Sequence, residues 1–193
     1  QQETLFPYTT LFRSMIPEVP PEPGEYALTN EAFCGVLAQT QLPASDPASF
    51  LKAMVDFAND ACWGTLSCMV LVHPETQRKH AKELDAAIEG LRYGGIGINA
   101  WAGVIYALVS PTWGAFPGHP LEDIQSGRGV VHNSFLFDHP QKSVLRAPFR
   151  INPKPAWFPD HRTAHQLGAA LTRFEADPSL LRLPAVVTAA LRG

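Results

Sequence analysis

Residues 65–101 read TLSCMVLVHPETQRKHAKELDAAIEGLRYGGIGINAW, and this stretch decides the fold. Its first part, Thr65 to Val72, is a nearly continuous apolar run, which is typical of a strand covered on both faces in a parallel sheet. From Glu75 to Tyr93 apolar residues recur at helical spacing, so we expect a helix with one buried face. The buried positions are Ala81, Leu84, Ile88 and Leu91. Gly95 to Trp101 predicts the next strand, with Gly94 ending the helix before it.

A strand and a helix are also predicted upstream of this stretch. Val36 to Thr40 is a strand candidate, and Asp46-Pro47 predicts a helix start because aspartate caps helices and proline suits the first helical position. The helix should end near Asp60, with a buried face formed by Phe50, Met54, Phe57, Ala58 and Ala61. The order strand, helix, strand, helix, strand predicts an α/β fold with a partial parallel sheet and crossover helices.

The chain beyond Trp101 predicts further elements. Val130 to Phe137 is strand-like, and Ser143 to Phe149 would extend it or pair with it. Asn152 to Pro159 carries three prolines and predicts a surface linker. Two helices are expected from their alanine and leucine content, at Arg162 to Ala176 and at Pro178 to Leu191.

The N-terminal residues are expected to lie outside the folded core. Residues 1–14 read QQETLFPYTTLFRS and follow neither the helical nor the strand period. We interpret them as a non-native or artefactual leader, since FPYTTLFRS is similar to translated sequencing-adapter text; a natural flexible N-terminus is the alternative. Residues 15–25 are rich in proline and predict an exposed lead-in.

Composition excludes several classes of function. The 193 residues are 46% hydrophobic and 17% charged, as in ordinary globular proteins. The net charge of -3 includes no Lys/Arg cluster, which argues against nucleic acid as a partner. No apolar run reaches the roughly 20 residues that cross a bilayer. The three cysteines lack the spacing of a disulfide framework, so a reducing cytoplasm is the expected location.

Several short segments, in their order along the chain, resemble the later half of the aldehyde dehydrogenase family. These segments are Asn30–Leu37 (NEAFCGVL), Phe57–Asp60 (FAND), Trp63–Leu66 (WGTL), Gly97–Asn99 (GIN) and Ser126–Gly129 (SGRG). The resemblance covers roughly residues 26–149. It implies part of the catalytic domain of an NAD(P)-dependent enzyme, in which a cysteine thiolate attacks an aldehyde, hydride leaves to nicotinamide, and water releases the acid.

The resemblance assigns two cofactor-contacting residues. The family's Glu-Glu-x-Phe-Gly-Pro-Val motif places its second glutamate on Glu31 and its phenylalanine on Phe33, both against the nicotinamide riboside. A carboxylate can accept two ribose hydroxyls, and an aromatic face can hold the nicotinamide. Here Asn30 replaces the first glutamate, and Cys34-Gly35 replaces Gly-Pro. Alternatively, Glu31 is a solvated or capping side chain and Phe33 is core.

Trp113 lies where the family has an aromatic residue lining the aldehyde tunnel, so the resemblance makes it a substrate-pocket residue. A packing tryptophan is the alternative. Asn59 and Asn99 match family asparagines and are expected to be architectural. No catalytic residue and no metal ligand are assigned to the chain.

Matches to other known sequence motifs are rejected. Residues 95–100 satisfy G-x-G-x-x-A, but they follow a predicted helix and open a strand, the reverse of a dinucleotide site. His161 and His165 form H-x-x-x-H without the glutamate of a zinc protease, so we expect helix-surface histidines. Buried thiols rather than nucleophiles are expected for all the cysteines, and Cys34 is the one whose neighbours leave a nucleophilic role open.

The organisation that follows has five parts. Residues 1–14 form the leader, 15–25 the lead-in, 26–129 the later part of the catalytic domain, 130–149 an oligomerisation-type strand segment, and 150–193 a linker with C-terminal helices. The chain is thus expected to be the C-terminal part of a cytoplasmic homo-oligomeric dehydrogenase using NAD or NADP, truncated before its nucleophile and inactive alone. The alternative is a non-catalytic α/β interaction or oligomerisation module. An unrelated small enzyme using Cys34 or His132 has no supporting constellation.

Overall fold

The computed structural model describes residues 14–156, 158 and 160–193. It divides into one unit that ends at Ala147 and a second unit, Pro148–Gly193. The expected leader lies outside the described residues, except for Ser14.

The first unit contains all the strands and five helices described here. The strands are β1 (Ser14–Ile16), β2 (Val36–Ala38), β3 (Ser67–Val70), β4 (Gly95–Ile98), β5 (Trp113–Gly114), β6 (Val130–Val131) and β7 (Ser143–Arg146). The helices are α1 (Tyr26–Thr29), α2 (Pro47–Asp60), α3 (Pro74–Lys79), α4 (Ala81–Gly90) and α5 (Gly103–Ala107). The second unit contains α6 (Ala164–Ala176), a 3-10 turn (Leu180–Arg182) and α7 (Leu183–Ala190).

The main sheet has three parallel strands in the order β3-β4-β7. β3, the helices α3 and α4, and β4 together make the crossover unit predicted for residues 65–101. The coarse prediction of an α/β fold with parallel strands is therefore confirmed. β2 does not join this sheet, because it pairs in parallel with β1, so the prediction of one sheet containing residues 36–40 was wrong.

Residues 15–25 are mostly exposed, as expected, but the β1–β2 pair shows that part of this lead-in is held in the fold. Met15 and Ile16 lie in β1, and Val19 is only 4% exposed. The backbone around Val19 is held to the chain after β2, since its N–H donates to Gln39 O at 2.8 Å and its carbonyl accepts from Thr40 Oγ1 at 2.5 Å. Part of the proline-rich segment is therefore integrated in the fold.

Helix α2 begins and ends where the sequence predicts. The Asp46 carboxylate accepts the N–H groups of Ala48 at 2.8 Å and Ser49 at 3.0 Å, and the Asp46 N–H donates back to Ser49 Oγ at 3.2 Å. This reciprocal capping satisfies donors that a helix start leaves unpaired. The buried face is shifted from the prediction: Leu51 is buried, whereas Phe50 is 44% exposed.

The single helix expected at Glu75 to Tyr93 is two helices, because the backbone at His80 leaves the helical region and separates α3 from α4. Leu84, Ile88 and Leu91 are buried as predicted, but Ala81 is exposed. α4 ends at Gly90, so Gly94 is not its cap. Gly94 is needed for close packing instead, since a Cβ there would lie 1.8 Å from the carbonyl oxygen of Gly114.

One face of the sheet forms the core and the other is only partly covered. Val70, Ile96 and Ile98 pack with the buried side chains of α2 and α4. On the opposite face, the rings and backbone after β4 cover Gly95 and Gly97. Met69 on that face is 52% exposed, and Leu71, just beyond the end of β3, is 69% exposed. The prediction that residues 65–72 are covered on both faces was therefore wrong.

The strand expected at Val130 to Phe137 is much shorter. Only β6 is extended there, and it pairs antiparallel with β5. The Phe135 side chain is fully exposed. Ser143–Arg146 neither pairs with β6 nor extends it. It forms β7, which pairs with β4.

The second unit is helical, as predicted for residues 162–176 and 178–191. His161, expected on a helix surface, is only 4% exposed and its Nε2 lies 3.2 Å from Ala190 O. Thr163 Oγ1 donates to Ala189 O at 2.6 Å, so the segment before α6 is fastened to the end of α7. His165 is exposed, as expected. Within the described part of the chain, no helix has the length and apolar character needed to span a bilayer.

Candidate functional site

Glu31 lies in a cleft of about 310 Å³ between α1 and the chain that leads into β3. We call this cavity the Glu31 cleft. It is lined by Leu28, Thr29, Asn30, Glu31, Trp63, Gly64, Leu66, Ser67, Tyr93 and Ser126. The lining thus combines three of the segments on which the family resemblance rests, residues 30–37, 63–66 and 126–129.

Hydrogen bonds hold these segments together. The backbone N–H of Trp63 donates to Leu28 O at 2.9 Å, and the backbone N–H of Thr65 donates to Ser126 Oγ at 2.8 Å. Gly64 has a positive φ of 94°, and a Cβ there would lie 3.0 Å from Ser126 Oγ. Glycine is therefore required by both the backbone conformation and the close approach.

The polar groups of the Glu31 cleft suit a hydroxylated, partly flat ligand. The Glu31 side chain is exposed, so its carboxylate is available as a hydrogen-bond acceptor. Ser126 Oγ accepts from the Thr65 backbone and keeps its own proton to donate. The Trp63 side chain is 48% exposed and offers an aromatic surface.

Tyr93 contributes a neutral wall to the cleft. Its hydroxyl donates to Ala58 O at 2.8 Å, and burial raises its pKa well above the usual value. The phenol is therefore protonated at neutral pH and committed to a backbone partner, so we assign it a structural role.

Phe33 is not part of this lining. Its side chain is 90% exposed, and its backbone has a positive φ of 43°. The structure thus brings Glu31, but not Phe33, together with the other family segments. The alternative of a core phenylalanine is wrong for this chain, since Phe33 is exposed.

Trp113 lies apart from the Glu31 cleft, in β5. Its ring packs over Gly95 of β4 and meets the Tyr106 ring edge-on, with 6.0 Å between the centroids. Another cavity, of about 440 Å³, is lined by the preceding residue, Thr112, but not by Trp113. Trp113 therefore covers the sheet, and its assignment to a substrate pocket stays a prediction.

The cysteines do not form a nucleophilic centre in this cleft, since none of them lines it. All three are free thiols. Burial raises the pKa of Cys62, and that of Cys68 to about 11, so both are protonated at neutral pH and poorly nucleophilic. Cys34 is exposed, which corrects the expectation of a buried thiol.

One rejected motif, G-x-G-x-x-A at residues 95–100, lies in the context that the sequence predicted. Gly95 opens β4 directly after the helical segment, which is not the strand-turn-helix context of a dinucleotide loop. Within residues 14–156, 158 and 160–193, no group of three or more His, Cys, Asp or Glu side chains is arranged to hold a metal ion.

Asn59 and Asn99 join elements, in keeping with the architectural role expected from the sequence. Asn59 Oδ1 accepts from the Arg92 N–H at 2.8 Å, and its Nδ2 donates to Gly90 O at 2.9 Å, which satisfies backbone groups at the end of α4. Asn99 Oδ1 accepts from the Val72 N–H at 2.8 Å. Asn99 thereby ties the chain after β3 to the end of β4.

Sequence reasoning missed several lining residues of the Glu31 cleft. Trp63 and Ser126 were named only as members of short family-like segments. Thr29, Ser67 and Tyr93 were not named as site residues. Ser126 meets Thr65 across 61 positions of sequence, and no local pattern reports such a contact. The only available signal was that both residues belong to segments resembling the same family.

No family model, curated protein or solved structure matches the chain.

Proposed function

We propose that the chain is the C-terminal part of an NAD(P)-dependent aldehyde dehydrogenase, in which the Glu31 cleft contributes one wall of the nicotinamide-riboside site. The observation that carries this proposal is the meeting of Glu31, Gly64 and Ser126, from three separate family-like segments, in one cavity. An accidental likeness would not require those segments to be neighbours. The substrate of the parent enzyme would be an aldehyde, and its product a carboxylic acid.

In this role Glu31 would accept hydrogen bonds from ribose hydroxyls, and Ser126 would donate one. Phe33 would contact the nicotinamide only once the cofactor covers it, which fits its 90% exposure here. The thiolate that the reaction needs would come from a segment before Glu31, and no cysteine precedes Cys34 in the 193 residues. The chain alone is therefore expected to be inactive and to bind cofactor negligibly.

The first test is a chimera in which residues 26–129 replace the corresponding segment of an active aldehyde dehydrogenase. We expect NAD(P)-dependent oxidation of the host's aldehyde, and a KM for the cofactor raised about tenfold or more by Glu31→Gln, since the ribose hydroxyls lose their charged acceptor and the glutamine NH₂ cannot accept a second hydrogen bond. Glu122→Gln, an exposed loop residue, is the control and should leave the KM unchanged. A folded but inactive chimera would count against the proposal.

The second candidate is a non-catalytic α/β interaction or oligomerisation module. The exposed apolar side chains of Met69 in β3 and of Leu71 just beyond it favour this module. Reading the coding sequence upstream of Met15 separates the two candidates. An in-frame cysteine segment with a dinucleotide domain supports the dehydrogenase, and a start codon with its own initiation signals supports the module. Turnover by the purified chain that Cys34→Ser abolishes would overturn both.

A further inference from the structure

A groove separate from both cavities described above lies at the carboxyl end of the parallel sheet. It occupies about 730 Å³ between α3, the start of α4 and Arg146, the last residue of β7. We call it the Arg78 groove, after a residue of α3 that lines it. In open parallel sheets, small ligands bind in crevices at the carboxyl ends of the strands.

One of the two arginines in this groove is fixed by an ion pair. Arg146 Nη2 donates to Asp85 Oδ1 at 2.8 Å, which ties β7 to α4. A guanidinium carries five N–H donors, so a single contact to Asp85 leaves most of them for a ligand. The pair is half-exposed, so its donors are accessible from the groove.

The second arginine, Arg78, is exposed and has no ion-pair partner in the part of the chain that the structure describes. Its neighbour Lys79 differs, since its ammonium lies 2.8 Å from Glu75 one turn earlier in α3. Two guanidiniums and one carboxylate leave the lining with a net positive charge. The lining thus carries more guanidinium donors than Asp85 can engage.

The remaining lining indicates the kind of anion. Gln77 adds an amide, while Pro74, Ala81 and Leu84 form an apolar wall beside the arginines. Two guanidiniums match the several oxygens and double charge of a phosphate better than a single carboxylate, which presents only two oxygens. The apolar wall would contact the organic body of the ligand.

We propose that the Arg78 groove binds the phosphate group of a small organic phosphomonoester. Arg78 and Arg146 grip the phosphate oxygens, and the ester's apolar part lies against Pro74 and Ala81. This site is independent of the Glu31 cleft, so it stands whether or not the chain belongs to a dehydrogenase.

Titration calorimetry of the full chain with inorganic phosphate and with phenyl phosphate tests the proposal, at an ionic strength held constant with sodium chloride. We expect both anions to bind, phenyl phosphate more tightly. Arg78→Gln should weaken the Kd for each by about tenfold or more, since charge-assisted hydrogen bonds are lost. Asp85→Asn should tighten it about twofold, because a competing carboxylate is removed.

The matched control is Arg128→Gln, an exposed arginine in neither cavity lining, which should bind as the unmodified chain does. Absence of phosphate binding would overturn the proposal. An equal loss in Arg128→Gln would do the same, since the binding would then be non-specific. Binding of inorganic phosphate with no gain for phenyl phosphate would refute the organic ligand, and tighter binding of succinate than of phosphate would refute the phosphate.

Discussion

At the scale of single residues, Asn99 combines two features. Its backbone is left-handed, with φ at 56°, and its side-chain Oδ1 accepts from the N–H of Val72. Asparagine occurs in this conformation more often than most other non-glycine residues. The end of β4 therefore depends on Asn99, in keeping with the architectural role expected from the sequence.

We expect Asn99→Ala to lower the free energy of unfolding by about 1–3 kcal/mol, because Val72 loses its acceptor and alanine is strained at a positive φ. Asn99→Asp keeps an acceptor oxygen and should cost clearly less. Urea unfolding followed by fluorescence measures both. Equal losses in the two variants would show that the hydrogen bond is not the cause.

At the scale of elements, the start of α2 carries a pH dependence. Hydrogen bonds from the Ser49 backbone and the Ser45 hydroxyl lower the pKa of Asp46 from its usual value. Because the pKa is depressed in the folded state, the ionised carboxylate stabilises the helix above the unfolded-state pKa. That contribution is lost as the pH falls through the folded-state pKa.

Asp46→Asn should therefore make the chain less sensitive to acid than the unmodified chain, because asparagine still caps but does not titrate. Thermal melts by circular dichroism between about pH 3 and pH 7 measure the effect. The Tm difference between the two should be constant above about pH 5 and should change below it. Asp56→Asn, at an exposed position of the same helix, is the control. If its pH profile were identical to that of Asp46→Asn, the prediction would be contradicted.

Elements with local signals could be predicted, and those decided by distant partners could not. The start of α2 is encoded in Asp46-Pro47, and the crossover unit in the periods of residues 65–101. The break at His80 has neither proline nor glycine to mark it. The partner of β2 lies in a proline-rich segment, where strand pairing is disfavoured by sequence. Similarly, a motif drew attention to Glu31, but the hydrogen bond from the Trp63 backbone N–H to Leu28 O, which joins residues 35 positions apart, has no local signal in the sequence.

At the scale of the whole molecule, the first unit exposes apolar surface on an end strand. β3 lies at one end of the three-stranded sheet, and Leu71 just beyond it is 69% exposed. Unpaired strand edges beside apolar side chains are ready sites of association. We therefore expect the purified chain to self-associate.

Leu71→Lys should weaken the apparent Kd of this association by about tenfold, because a charge placed in an apolar contact opposes its burial. Sedimentation velocity across a range of concentrations measures it. Leu121→Lys, at a loop residue that is 75% exposed, should have little effect. A monodisperse, cooperatively melting monomer at every concentration would contradict the prediction.

The ammonium of Lys142, just before β7, reaches the end of α4. It donates to the carbonyls of Ile88 at 3.1 Å, Glu89 at 2.8 Å and Leu91 at 2.5 Å. These acceptors exist as a group only once α4 has formed. Pairing β3 with β4 closes a loop of about 30 residues, whereas pairing β4 with β7 closes a loop of about 50 residues. The longer loop costs about 0.5 kcal/mol more in closure entropy. We therefore expect a folding order in which the crossover unit forms first and Lys142 then fastens the last strand.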